Sequence, residues 1–200
     1  MTFGIKSLSV DRMTMTRESF DYLMVGRFLG IEALGLYYFA FNSGLGLSMS
    51  IAQPLEKSLY SDFCAKLSKG INRKDVFQSA RLSAFIMVTI ISIQVLLAKF
   101  YVPVVFGSKW VDAGALPLII LICLSGMTRL PAKATLLALR SIGKINLELR
   151  YSFYFTLTFC ILTAVSAQFS VIAVSVSVLM VHFIFDPILM IKSLAKFPRN

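Results

Sequence analysis

Charge is scarce in this chain. Only 15% of its 200 residues are Asp, Glu, Lys or Arg, against about 25% in an ordinary soluble domain. Too little polar side chain is present to clothe a water-facing surface. Histidine occurs once, as His182, and cysteine three times, as Cys64, Cys123 and Cys160. Three widely spaced thiols without a second histidine exclude both a disulfide framework and a zinc site. The carboxylates expected in loops, Asp62, Asp75 and Glu148, stand singly, so the clustered acids that hold metal and phosphate in membrane enzymes are missing. There is neither a phosphate-binding glycine loop nor a nucleophile elbow. No catalytic residue, metal or cofactor is therefore expected. Residues Met1 to Val10 lack the basic-then-apolar layout of a signal peptide, and no cleaved leader is expected.

What the chain does have is apolar length. It is 57% hydrophobic with a mean hydropathy of +0.77. Between Tyr151 and Met190 only Gln168, His182 and Asp186 are strongly polar. A bilayer core needs about 20 apolar residues per helical crossing, so this stretch suffices for two. Polar and turn residues interrupt the remaining runs, and the pattern predicts an all-α polytopic membrane bundle of about six transmembrane helices. They fall near residues 3–27, 33–58, 82–105, 113–139, 151–165 and 171–194, in a single transmembrane lobe spanning 1–200. The net charge of +10 is read by position rather than as a nucleic-acid footprint. Lys6, six cations from Lys57 to Arg81, then Arg140, Lys144, Arg150, Lys192, Lys196 and Arg199 gather on one side. Arg27, Lys99 and Lys109 lie on the other. The positive-inside rule puts the first group, and both termini, in the cytoplasm. The stretch Glu56 to Arg81 then reads as a basic cytoplasmic connector.

Several charges fall where lipid would not tolerate them. On the first helix Lys6, Asp11, Arg17, Glu18 and Asp21 share one face, and Arg17 and Asp21, four apart, are placed to pair. Such a helix either lines a wet cavity or lies at the interface without spanning. On the fourth helix Arg129 and Lys133 are four apart with Pro131 between them, where a kink is expected. Arg129 lies about 22 Å along the helix from Gly114, and Lys133 about 28 Å, close enough to the interface to snorkel. Arg129 is a candidate to contact an anionic headgroup. On the last helix His182 and Asp186 are four apart near mid-membrane, either tying two helices together or coupling proton movement.

Two local patterns carry a resemblance. The segment Asp21-Tyr22-Leu23-Met24-Val25-Gly26-Arg27-Phe28-Leu29-Gly30, followed by Glu32-Ala33-Leu34-Gly35-Leu36-Tyr37-Tyr38, resembles the first helical junction in a lobe of bacterial polysaccharide flippases. Phe106-Gly107-Ser108-Lys109-Trp110, with Ala113, resembles their loop after the third helix. These flippases belong to the multidrug/oligosaccharidyl-lipid/polysaccharide exporter superfamily, and this chain is similar to their C-terminal six-helix lobe. The resemblance implies flipping of an undecaprenyl-pyrophosphate-linked oligosaccharide across the bacterial inner membrane. It also implies a second six-helix lobe as partner and alternating access by rocking of the two. Arg129 and Arg17, with Lys133 and Asp21, are then the substrate-contacting residues, and His182 and Asp186 the ion-coupling pair. Gly26 and Gly30 read as turn residues, Lys109 and Trp110 as interface anchors. Two other assignments stay open: a cation-coupled small-molecule antiporter lobe, using Asp21, Asp186 and Asp11, and a truncated remnant that transports nothing.

Overall fold

A computed structural model of the chain describes residues 2–198; Met1, Arg199 and Asn200, including one cation of the terminal basic cluster, lie outside it. The described residues form helices and turns, with no strand among them. Helix α1 spans Thr2–Leu29, and Gly30, at φ 89°, turns the chain into α2 (Ile31–Phe41). That dihedral is one only glycine adopts cheaply. A π turn, Asn42–Gly46, carries α2 into α3 (Leu47–Lys66) without changing direction. A short elbow follows. Asn72 then caps α4 (Arg73–Tyr101) in a reciprocal box with Asp75, satisfying two donors that the first turn leaves open. Beyond a second π turn and the short α5 (Lys109–Asp112) come α6 (Ala115–Ser125) and α7 (Arg129–Ser141). The chain ends in α8 (Ile145–Ser166) and α9 (Val171–Leu194), the latter capped by Ser170, whose Oγ accepts from Ala173 N at 3.1 Å.

Four stretches have the length and apolar character to cross a membrane: Arg73–Phe106, Ala115–Ser141, Ile145–Ser166 and Val171–Leu194. α1 and the α2–α3 rod, counted as crossings in the expected set of six, do not meet that standard. They are long enough but less apolar: α1 carries seven charged residues from Lys6 to Arg27, and the α2–α3 rod places Asn42, Ser43, Ser48, Ser50 and Gln53 along its length. Boundaries also move. α3 runs to Lys66 rather than 58, and α8 begins at Ile145 rather than 151, because polar residues interrupt hydropathy without interrupting a helical backbone. Lys66 and Asp62 even support the extension as a 2.7 Å pair one turn apart.

The fourth expected helix is two. Cys123 O accepts from Gly126 N (2.9 Å) and Leu124 O from Met127 N (3.1 Å), closing α6 before Thr128 caps α7. Pro131 is thus no kink inside a helix. It is the third residue of α7, where its missing N–H has no helical partner to lose. Gly126 lets the turn pack closely, since a Cβ there would lie 2.9 Å from the Ile91 side chain and press on Leu45.

The bundle is apolar outside and locally polar within. Phe85, Leu96, Val104, Phe169 and Ile191 are exposed, while Ser48, Ser83, Ser125, Thr135, Thr163 and Ser175 are buried at helix contacts. Lipid supplies no hydrophobic drive for helices to associate, so small and hydroxylated residues make the close approaches. The first π turn has its freed carbonyls answered by side chains. Gln94 Nε2 donates to Gly44 O (2.6 Å) and Ser43 O (3.2 Å), and Tyr101 Oη donates to Ser43 O (2.8 Å). Ser48 bonds the same Gln94. α7 runs through the middle, packed by α3, α4, α8 and α9, and α1 lies along α8. Trp110, expected at the interface, stacks face to face on Phe39 at 3.9 Å and packs on the core, with Lys109 over its ring. Gly26 is a contact rather than a turn: a Cβ there would sit 3.1 Å from Leu34.

Candidate functional site

One cavity of about 220 Å³ opens among α1, α3, α7, α8 and α9. All six residues singled out from the sequence line it: Arg17 and Asp21 from α1, Arg129 and Lys133 from α7, His182 and Asp186 from α9. Sequence spacing placed them on three separate helix faces, and only packing brings those faces together. The remaining polar wall is Thr14, Glu18, Gln53, Glu56 and Ser152. Of the charged face of α1, Lys6 and Asp11 do not take part.

The expected pairing of Arg17 with Asp21 is not made. Arg17 turns to α8 instead, donating from Nη1 to Thr156 Oγ1 (2.9 Å) and from Nη2 to Thr14 Oγ1 (3.0 Å), with its Cζ 4.8 Å from the Phe155 ring centroid. Asp21 turns to α2, where Tyr37 Oη donates to its Oδ2 at 2.7 Å and Tyr22 N to its Oδ1 at 2.9 Å. Burial explains the choice. Tyr37 is fully enclosed and its hydroxyl needs an acceptor, which the buried Asp21 supplies.

Arg129 is the first residue of α7. Its Nη2 reaches back across the break to Ser125 Oγ at 3.1 Å, and its Nε is buried with no partner. Asp186 Oδ2 accepts from Thr128 Oγ1 (2.8 Å) and lies 3.0 Å from His182 Nδ1. The histidine and aspartate thus form the contact the spacing allowed, and Thr128 extends it from α9 to α7. Among the described residues no carboxylate lies within 4.0 Å of a nitrogen of Arg17, Arg129 or Lys133. The three cations share a cavity in which Asp21 and Asp186 are already held by hydroxyl donors.

Sequence reasoning missed Glu56, Gln53, Thr128, Phe155 and Tyr37. Glu56 stood at the end of the helix expected over 33–58, where the basic connector was expected to begin, and α3 runs past it to Lys66. Thr128 directly precedes Arg129 in the sequence, and that adjacency was its only signal. Glu148 is corrected too: it is a fully buried residue of α8, gripped by Arg140 through Nε at 2.9 Å and Nη2 at 2.7 Å, with Asp11 3.4 Å from Nη2. No group of three or more His, Cys, Asp or Glu arranged to hold a metal occurs among the described residues.

These features define a polytopic α-helical membrane protein with a charged chamber inside the bundle. The chain belongs to the polysaccharide biosynthesis protein family, whose model matches residues 1–115, more than half of its length. Both patterns that resemble polysaccharide flippases, around Asp21 to Tyr38 and Phe106 to Ala113, fall within that span, and the family gives the chain a role in polysaccharide synthesis or export. No curated protein and no solved structure matches the chain. Arg129, Lys133, His182 and Asp186 lie beyond the matched residues.

Proposed function

We propose that this chain forms one lobe of a transporter that flips a lipid-linked oligosaccharide across the bacterial inner membrane, its cavity receiving the pyrophosphate headgroup. The observation that carries the proposal is the set of three cations, Arg17, Arg129 and Lys133, in one cavity without a carboxylate in contact. Cations kept at membrane depth are costly unless an anion arrives to use them. A pyrophosphate offers several acceptor oxygens, and guanidinium forks match such oxygens in pairs. Size supports the same assignment. At about 220 Å³ the cavity is below the ~300 Å³ at which drug-sized ligand pockets begin. It suits a headgroup, with the glycan held in the space a second lobe would enclose and the prenyl tail left in lipid. The basic residues near the termini then face the cytoplasm, where such substrates are assembled. The chemistry asked of the protein is binding and release, with no covalent step.

The test is complementation. The chain is expressed, alone and with a separate N-terminal lobe, in a strain lacking its own flippase, and surface polysaccharide is measured. Restoration, and a loss of at least tenfold in Arg129→Ala at unchanged protein abundance, is expected from removing a charge-assisted contact. Wild-type export by Arg129→Ala rejects the role of that residue. Failure of every combination favours a remnant that transports nothing.

A second assignment has an observation of its own. Glu18 and Glu56 join Asp21 and Asp186 in the cavity, a carboxylate supply suited to a cation-coupled antiporter of small molecules. Proton-dependent efflux of a cationic dye, lost in Asp186→Asn, would establish it.

A further inference from the structure

The break between α6 and α7 sits inside the charged cavity, and its construction is unusual in one respect. A helix N-terminus carries a partial positive charge, so the first turn disfavours cations. α7 nevertheless begins with Arg129 and has no acidic residue in that turn. The guanidinium does not escape to solvent. It folds back over the break to the last residue of α6, where Ser125 Oγ accepts from Nη2 at 3.1 Å while donating its own proton to Ile122 O at 2.7 Å. Nε is enclosed and without a partner, and Arg129 lines the cavity. A guanidinium has five N–H donors, and the protein's side chains engage one here.

Both arms of the break are packed in the core, and polar side chains bridge it. α6 is locked: Gly44 lies so close to it that a Cβ would stand 2.8 Å from Cys123 Sγ, and Gly126 is pressed by Leu45 and Ile91. The start of α7 is packed too, with Leu130, Pro131 and Ala132 buried, and its polar side-chain ties run to Ser125 through Arg129 and to Asp186 through Thr128. Across the turn itself the backbone bond Arg129 N to Gly126 O is 3.3 Å, longer than its neighbours.

We propose that this break is an anion-operated joint, in which a phosphoryl group entering the cavity draws the Arg129 guanidinium off Ser125 and so releases the first turn of α7 from α6. The proposal rests on the cavity being an anion site. It adds that the hydroxyl of Ser125 competes with the ligand for Arg129. α7 carries Lys133 into the cavity and Arg140 to the end of the bundle near the termini, so release at the joint reaches both.

The competition fixes the sign of the test. Purified full-length chain in nanodiscs is titrated with inorganic pyrophosphate and with a polyprenyl pyrophosphate, and hydrogen exchange is followed over residues 126–132. Pyrophosphate is expected to speed exchange at Gly126, Met127, Arg129 and Ala132, whose amides span the break. Ser125→Ala is expected to show that faster exchange without ligand and to bind pyrophosphate about tenfold more tightly, because the parked contact is gone. Binding that requires Arg129 yet leaves residues 126–132 unchanged, or binding weakened in Ser125→Ala, overturns the joint while leaving the anion site in place. Absence of binding of either probe by the wild-type chain overturns the anion site and the joint with it. Binding of the lipid but not of inorganic pyrophosphate, accompanied by faster exchange, upholds the joint and assigns it to a lipid headgroup. The wild-type comparison decides even where Ser125→Ala does not accumulate.

Discussion

Glu148 and Arg140 provide a stringent stability test because they separate an ion pair's worth from the cost of breaking it. Glu148 is fully enclosed, Arg140 shows only 13% of its side chain, and the two make bidentate bonds of 2.9 and 2.7 Å. Removing Arg140 would strand a buried carboxylate, and removing Glu148 would strand most of a guanidinium. Each of Arg140→Met and Glu148→Leu is expected to destabilise by about 3 kcal/mol, the lower end for breaking a buried pair. The double variant leaves neither charge behind. It should therefore cost clearly less than the sum of the singles, with a coupling of about 2 kcal/mol or more. Asp11 sits 3.4 Å from Arg140 with 48% of its side chain exposed, so Asp11→Asn should cost less than about 1 kcal/mol. Unfolding by SDS in mixed micelles, followed by circular dichroism, measures all four. Additive singles would show that Glu148 and Arg140 are not coupled, and a large Asp11→Asn effect would move the energetic centre of the cluster to α1.

Two packing predictions follow from the same structure. Gly126→Ala puts a methyl against Ile91 and Leu45 and should cost about 1–3 kcal/mol in the same unfolding assay, whereas Gly35→Ala, where nothing lies within 4 Å, should be near neutral; equal effects would refute the steric account of the break. Gln94→Leu removes the donor to the carbonyls of Ser43 and Gly44, leaving Ser43 with Tyr101 and Gly44 without a side-chain donor, and should cost about 1–3 kcal/mol with faster hydrogen exchange confined to residues near the π turn.

Much of this protein was fixed by composition and spacing. An apolar run such as Tyr151 to Met190 must satisfy its backbone internally in lipid, so helices were dictated wherever the chain spans. The six candidate residues were visible for a related reason: Arg17, Asp21, Arg129, Lys133, His182 and Asp186 are charged or titratable where hydropathy says they should not be. Helix ends were less legible. Asp62 and Glu148 lie within helices because charge marks a change of surroundings, not a change of backbone dihedral. Pro131 suggested a kink in one helix, yet proline is equally at home in the first turn of a new one.

Partners were decided by tertiary structure alone. Four-residue spacing allowed both Arg17–Asp21 and His182–Asp186, and only the second formed, because a buried tyrosine on α2 claimed Asp21 and Thr156 on α8 claimed Arg17. Sequence reports which groups share a helix face, while which face meets which neighbour depends on how six rods pack. That packing places three cations in one chamber, and no local rule in the sequence contains it.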